Sequence, residues 1–208
     1  FSGASAPGVR CGGLRLRRGL PLWRGGAGNA GLLAIYCRAE SIPWAEGPEQ
    51  TLDGIRISST HIRGLIEKGE MSTAVKFLGH PHILTGQVIH GRHLGSTLGI
   101  PTANLHLPQS LAVPKFGVYA CQCVIDGRVY PAVTNVGTRP TVNGQDVTVE
   151  PWILDYEGDL YGREITLEFY RFLRPERKFP DLQALKAEIL RNADQTREYF
   201  RGRSVQTT

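Results

Sequence analysis

Residues 117–134 read GVYACQCVIDGRVYPAVT and carry the pattern that decides the fold. Two runs in which apolar residues dominate or alternate with polar ones, 117–125 and 129–134, flank the dipeptide Asp126-Gly127. Asp-Gly between two such runs is a strong signal for a two-residue β-hairpin turn, because both turn residues must adopt positive φ. The stretch therefore predicts two antiparallel strands joined by a tight turn.

Similar runs on either side predict that this hairpin belongs to a larger sheet. An amphipathic stretch near the end of the chain predicts a helix from Asp181, which can cap it, to about Phe200. Five or six short strands with one helix favour a closed antiparallel barrel, since closure removes exposed strand edges. We expect a mainly β, six-stranded, Greek-key-like antiparallel barrel with a C-terminal helix. The other strand-like runs are 83–90, 147–155 and 164–171, and Asn143-Gly144 marks a further turn.

The net charge of +5 comes from one end of the chain. Residues 1–28 hold five arginines and no acidic residue, and the remainder carries as many basic as acidic groups. That remainder has no cationic excess for nonspecific binding of a polyanion, so we expect no nucleic-acid partner. No uninterrupted run of about eighteen apolar residues occurs, so we expect no membrane span.

Residues 1–28 also differ from the rest in pattern. They are rich in Gly and Arg and show neither helical nor strand periodicity. One hypothesis is that they are an out-of-frame translation in front of a genuine sequence. The alternative is a disordered basic tail.

Residues 94–104 read LGSTLGIPTAN and point to chemistry. Thr102 and Asn104 lie two apart, so in an extended segment they face the same way. Their oxygens suit a hard cation such as Mg²⁺, which usually shares its ligands with phosphates. A glycine-rich turn in which Asn104 bonds to nearby backbone is the alternative. Glycines that permit close approach to a ligand recur at every fourth position, at Gly91, Gly95 and Gly99.

This segment resembles the signature of riboflavin kinases, in which a glycine-rich loop leads into Pro-Thr-Ala-Asn. Further family motifs are matched in the right order, so the resemblance covers about residues 79–203. It implies a kinase that uses ATP and Mg²⁺ to convert riboflavin into FMN. The other matching segments are 116–120, 133–141, 149–162 and 172–179.

Upstream, residues 56–63 are similar to the Ile-Ser-Ser-Thr-x-Ile-Arg motif of nucleotidyltransferases. In bacteria such a domain precedes the kinase in a bifunctional FAD synthetase. The family's N-terminal Gly-rich and His-x-Gly-His motifs do not occur, so we expect no FMN adenylyltransferase activity. We expect an aberrant or disordered segment (1–28), an α/β remnant of the adenylyltransferase domain (29–78), a kinase domain (79–203) and a tail (204–208).

The resemblance assigns roles residue by residue. Glu150 matches the catalytic base, which would accept the proton of the ribityl 5′-hydroxyl. Thr102 and Asn104 match the Mg²⁺ and phosphate ligands. Arg92 is equally well explained as a solvated loop arginine, and Ser96 is better explained as a cap. The phosphate-covering loop would comprise Gly91, Arg92, Gly95, Ser96 and Gly99.

Pro151 and Trp152 depart from the family pattern, which commonly has Thr-His after the glutamate. Proline removes a backbone donor and puts a ladder hydrogen bond in doubt. Trp152 is more typical of a core residue than of a ligand. We expect a kinase, and the alternative is a catalytically weak flavin-binding module. We expect Asn135 and Arg139, within segment 133–141, to stabilise a turn.

Cysteine usage indicates the compartment. Cys121 and Cys123 alternate within a strand-like run, so both should share one face, and no Cys-x-x-Cys pair suggests a metal or redox site. We expect buried, reduced thiols in a cytoplasmic protein.

Overall fold

The computed structural model describes residues 14–17, 30–89, 99–106, 112–141 and 144–201. The chain divides into two compact units between Ile57 and Ser58. No helix in these ranges is long and apolar enough to cross a bilayer.

The first unit holds two short sheets and a helix. Its strand β1 lies within the segment in which the sequence showed no strand periodicity, and β1 pairs in parallel with β2. The rest of residues 1–28 lies outside the described part, so both hypotheses about that segment stay predictions. The elements are β1 (Leu14–Arg17), α1 (Ala30–Ala39), β2 (Trp44–Gly47) and the hairpin of β3 (Thr51–Leu52) and β4 (Ile55–Arg56).

The second unit is built around a barrel. Among the described residues, six strands close in the order β10-β5-β6-β9-β8-β7, and each pairs antiparallel with its neighbours. The expected mainly β barrel with a C-terminal helix is confirmed. The elements are α2 (Ser59–Lys68), α3 (Met71–Leu78), β5 (His82–Ile89), β6 (Asn104–His106), β7 (Gly117–Ile125), β8 (Arg128–Thr141), β9 (Gly144–Ile153), β10 (Glu164–Arg174) and α4 (Leu182–Arg201).

The Asp126-Gly127 turn joins β7 and β8 as the sequence predicts. Both residues have positive φ, 50° and 76°, and Ile125 pairs with Arg128 directly behind them. The carboxylate of Asp126 also accepts a hydrogen bond from Arg163, the residue just before β10. This turn therefore fixes the register of two strands and is tied to a third. Asn143 of the second expected turn lies outside the described residues.

Alternation along the strands fills the barrel interior. Tyr119, Cys121 and Cys123 of β7 have no exposed surface and lie opposite Phe169 and Leu167 of β10 or beside them. The prediction that the two cysteines are buried on one face is confirmed, and both are free thiols. Burial raises the pKa of Cys123 to about 12 and that of Cys121 further, so both stay protonated.

Helix α4 covers part of the outer face of the barrel. Ala193 of the helix packs with Val118, Val133 and Leu154, and the side chain of Trp152 lies against this cluster. Asp181 caps the helix, since its Oδ1 accepts a hydrogen bond from the amide of Ala184 at 2.7 Å. The predicted cap is confirmed.

Helices α2 and α3 lie in the same compact unit as the barrel. Ser58 caps α2 by accepting a hydrogen bond from the amide of His61, and Ile66 accepts one from the amide of Lys115, just before β7. Ser72 of α3 donates to the carbonyl of Tyr170 on β10. The expected domain boundary at residue 79 stays a prediction, whereas the compact units divide twenty-one residues earlier, between Ile57 and Ser58.

Candidate active site

Three strands bring Asn104, Glu150 and Asn135 into one row. Asn135 on β8 is the register partner of Glu150 on β9. On the other side of Glu150, Leu105 pairs with Val149 and the amide of Ala103 donates to the carbonyl of Pro151, so Asn104 lies directly opposite Glu150. Directly opposite residues on neighbouring strands share a face, with Cβ atoms about 5 Å apart.

This row lies on the outer face of the barrel. Val149 and Pro151, on either side of Glu150, are buried and point inward, so strand alternation turns Glu150 outward. Trp152, two residues further along, shares the outer face and reaches the cluster under α4. Glu150 therefore lies on a strand whose next outward residue, Trp152, packs against α4.

Pro151 removes one hydrogen bond of the strand ladder and leaves the others in place. Its carbonyl accepts a hydrogen bond from Ala103 at 2.9 Å, so the backbone edge that would carry its N–H faces β6. Proline cannot return that bond, but its pairing with Thr134 on β8 is unaffected. The lost hydrogen bond therefore weakens the pairing of β9 with Ala103, which lies between Thr102 and Asn104.

A cleft of about 140 Å³ opens beside Thr102. It shares Thr102, Ala103 and Pro151 with the segments that carry the row. Its wall is mainly apolar, and its polar side chains are those of Thr102, Tyr156, Asp159 and Tyr161. The apolar lining includes Val88, Pro101, Ile153 and Leu160.

Burial dominates the electrostatics of Glu150. It raises the pKa of this carboxyl above its ordinary value, although a hydrogen bond from Thr148 and the positive charge of Arg139 oppose the shift and the negative charge of Glu176 adds to it. A carboxylate that is costly to keep ionised holds an accepted proton better than an exposed one. The environment therefore suits a general base.

The other predicted site residues fall into two groups. Gly99 has φ +71°, so its backbone is left-handed just before the buried Ile100. Neither Thr102 nor Asn104 makes a side-chain hydrogen bond within the described part of the chain, so their oxygens are available to a ligand. The remaining loop residues, Gly91, Arg92, Gly95 and Ser96, lie outside the described residues.

The expectation that Asn135 and Arg139 stabilise a turn is wrong. Both lie within β8, which continues seven residues past the predicted end at Thr134 to Thr141. Gly137 and Pro140 within this stretch made the sequence look like a turn. The structure instead puts Asn135 in the row and Arg139 close enough to influence the pKa of Glu150.

The family follows from a match to residues 78–200. This stretch, more than half of the chain, matches the flavokinase model, described as riboflavin kinase. The chain belongs to the riboflavin kinase family. The family predicted from the Pro-Thr-Ala-Asn signature and its companion motifs is thereby confirmed.

Relatives of this riboflavin kinase family member are longer proteins. A bifunctional riboflavin kinase/FMN adenylyltransferase of Pseudomonas fluorescens is 44% identical over 144 residues, which cover 69% of this chain and 45% of that protein. A protein of the same description from Listeria monocytogenes is 37% identical over 153 residues, which cover 73% of this chain and 49% of that protein. The chain thus spans about half the length of the relatives it matches.

A solved structure from Streptococcus pneumoniae, described as a macrolide-efflux protein, is similar in fold. It superposes with a TM-score of 0.73 at 31% identity, covering 82% of this chain and 55% of that one. The likeness extends beyond the part that the family model matches.

Proposed function

We propose that this chain transfers the γ-phosphate of ATP to the 5′-hydroxyl of riboflavin, giving FMN and ADP. The observation that carries the proposal is the row on the outer face, where Glu150 lies between Asn104 and Asn135 next to the cleft at Thr102. As the hydroxyl oxygen bonds to the γ-phosphorus and the bond from phosphorus to the ADP oxygen breaks, Glu150 takes the hydroxyl proton.

The nucleotide would occupy the cleft. Its mainly apolar wall offers a surface for a base, and Thr102 at its edge lies two residues from Asn104 of the row, so phosphates at that edge would lie near these two side chains. The glycine-containing segment 91–99 would cover those phosphates with backbone amides.

Thr102 and Asn104 would hold Mg²⁺. Both side chains offer neutral oxygen donors that no described residue occupies, and such donors suit a hard cation that completes its shell with phosphate oxygens. The metal would neutralise charge on the transferring phosphoryl group.

A second candidate is a flavin-binding module with little turnover. Pro151 leaves β6 with one ladder bond fewer beside the two ligand candidates, which supports it. We further propose that residues 79–203 are the kinase domain, that residues 29–78 are an adenylyltransferase remnant, and that the 208-residue chain makes no FAD.

Chromatography of a reaction with riboflavin, ATP and Mg²⁺ separates these candidates. We expect FMN with equimolar ADP, and no FAD after long incubation. Riboflavin binding without ADP release would favour the binding module. Glu164→Gln, an exposed strand glutamate outside the row, is the matched control for Glu150→Gln and should turn over like the unaltered chain.

A further inference from the structure

A second carboxylate, that of Glu176, reaches the row from the segment after β10. Its Oε1 accepts a hydrogen bond from Nδ2 of Asn135 at 3.4 Å. A Cβ atom added at Gly137, two residues further along β8, would overlap the same oxygen and lie 3.0 Å from the carboxyl carbon. The carboxylate therefore lies against the backbone of Gly137. The backbone of Gly137 is not left-handed, so an added Cβ there would conflict only with the end of the Glu176 side chain.

Glu188 on α4 fixes the segment that carries Glu176. Its side chain is only 7% exposed and contacts three guanidinium groups. Two of them flank Glu176: Arg174 Nε lies 3.3 Å from Oε1, and Arg177 Nη2 lies 2.7 Å from Oε2. The third, Arg191 on the same helix, lies 2.6 Å from Oε1.

Neighbouring contacts strengthen this anchor. Arg174 Nε also donates to Oδ1 of Asn192 at 2.9 Å, and the guanidinium groups of Arg174 and Arg177 lie over the ring of Phe179 at 5.5 and 4.8 Å from its centroid. Residues on both sides of Glu176 are thus attached to α4 or to each other, and Glu176 itself is turned towards β8.

The chemistry of a carboxylate next to this row indicates its ligand. An ionised carboxylate only accepts hydrogen bonds, and a ribityl chain carries several hydroxyl donors. If the terminal hydroxyl lies at Glu150, the neighbouring hydroxyls lie within reach of Asn135 and Glu176, because Asn135 is directly opposite Glu150.

We propose that Glu176 orients the hydroxyl-bearing chain of the flavin and that Glu188 is a positioning residue, which acts by holding Arg174 and Arg177. This inference rests on the proposed function and deepens it. Selectivity for a polyol chain then comes from Glu176, which lies on neither β8 nor β9.

Comparing the binding of two flavins distinguishes this role of Glu176 from a general loss of structure. Riboflavin has the ribityl hydroxyls, and lumiflavin has the same ring system without them. With MgADP present, Glu176→Ala should weaken riboflavin binding about tenfold, the loss expected for one charged hydrogen bond, and leave lumiflavin binding unchanged. Glu176→Gln, which keeps an acceptor oxygen, should recover part of the loss. In turnover, the KM for riboflavin should rise while kcat changes less than about threefold.

Gly137→Ala tests the placement without altering either carboxylate. The added methyl group should displace the Glu176 side chain and reproduce the riboflavin-selective loss. Gly64→Ala is the matched control, because its added Cβ meets nothing within 4 Å and should leave both affinities unchanged.

Glu188→Gln completes a double-mutant cycle. It should weaken riboflavin binding, and the double variant with Glu176→Ala should lose no more than Glu176→Ala alone. Equal weakening of both flavins in Glu176→Ala, or additive losses in the double variant, would overturn the inference while leaving the kinase intact. A chain that neither binds nor phosphorylates riboflavin would overturn the proposed function, and this inference with it.

Discussion

The surroundings of Glu150 and Glu188 show how one side-chain type can serve opposite purposes in the same domain. Glu188 is shielded from water, but the hydrogen bond from Arg191 and the charges of the three arginines outweigh burial and lower its pKa. Glu150 is also largely shielded, yet burial prevails over Thr148 and Arg139 and raises its pKa. The first carboxylate is stabilised as an anion, whereas the second is left able to take a proton.

This difference distinguishes a group that holds the structure from a group suited to chemistry. A buried anion with three cationic partners is costly to disturb, because losing it leaves positive charges without compensation. A shielded carboxylate with few partners lowers the stability of the fold when it is ionised, and it therefore binds a proton more readily. Proton affinity, more than position or burial, separates the two sites.

The largest expected effect is on turnover. Glu150→Gln should lower kcat by roughly 100- to 10,000-fold, the usual contribution of a general base, with riboflavin affinity little changed. The same variant should be at least as resistant to urea as the unaltered chain at neutral pH, since an ionised carboxylate is removed from a shielded position. FMN formation and urea unfolding measure the two outcomes. Turnover within about threefold of the unaltered chain would remove Glu150 from the role of base.

Next in size is the stability of the arginine cluster. Glu188→Gln should lower the free energy of unfolding by about 2–3 kcal/mol, somewhat less than is usual for breaking a fully buried pair, because two of the three arginines are half exposed. The matched control is Asp155→Asn, which breaks the exposed pair with Arg197 and should cost less than about 1 kcal/mol. Equal losses in the two variants would mean that the cluster is an ordinary surface network.

A smaller effect is expected where the catalytic strand meets the helix. Trp152→His replaces a half-buried indole that packs on the cluster of Val118, Leu154 and Ala193. We expect it to cost about 1–2 kcal/mol of stability. FMN formation should stay within about threefold, because the side chain is engaged with α4. A gain in kcat well beyond that would show that histidine at this position assists the base.

The subtlest effect is in the pH dependence of stability, measured without nucleotide or metal. Glu150 has a raised folded-state pKa, so its favourable contribution is present at low pH and is lost as the pH rises through that pKa. Glu188 has a lowered one, so its contribution is present above the ordinary carboxyl pKa and is lost as the pH falls through the folded-state value. As the pH rises, Glu150→Gln should therefore become more stable than the unaltered chain and Glu188→Gln less stable, whereas both variants should approach the stability of the unaltered chain towards acid pH. Parallel curves would contradict the comparison.

Local chemistry explains what could be predicted from the sequence. The Asp126-Gly127 turn, the alternating strands and the Asp181 cap depend on neighbours along the chain, so their patterns are visible in the sequence. Strand β6 was missed because three residues are too few for a period to show. The end of β8 was missed because the pairing with β9 overrides the turn preference of Gly137.

The site depends on contacts between residues that are distant in the sequence, and these contacts could not be predicted from the sequence. Glu150 was found through the family motif, but its row with Asn104 and Asn135 requires the register of three strands. Glu176 contacts a residue 41 positions away, and nothing in its own segment indicates that contact. Glu188 looks like any other helix carboxylate until the arginines around it are seen.

Because β6 is short, the candidate site lies where few hydrogen bonds close the barrel, between β6 and β9. We call this junction the seam. Among the described residues, three register pairs join β6 to β5 but one joins it to β9, and Pro151 withholds a further bond at the next position. Closure of the barrel is thus thinnest where Asn104 and Glu150 face each other. A molecule that engages both residues spans that seam and becomes part of the wall, so occupancy and closure reinforce each other. Slower amide exchange at Leu105 on ligand binding would be the signature of a barrel that its substrate helps to complete.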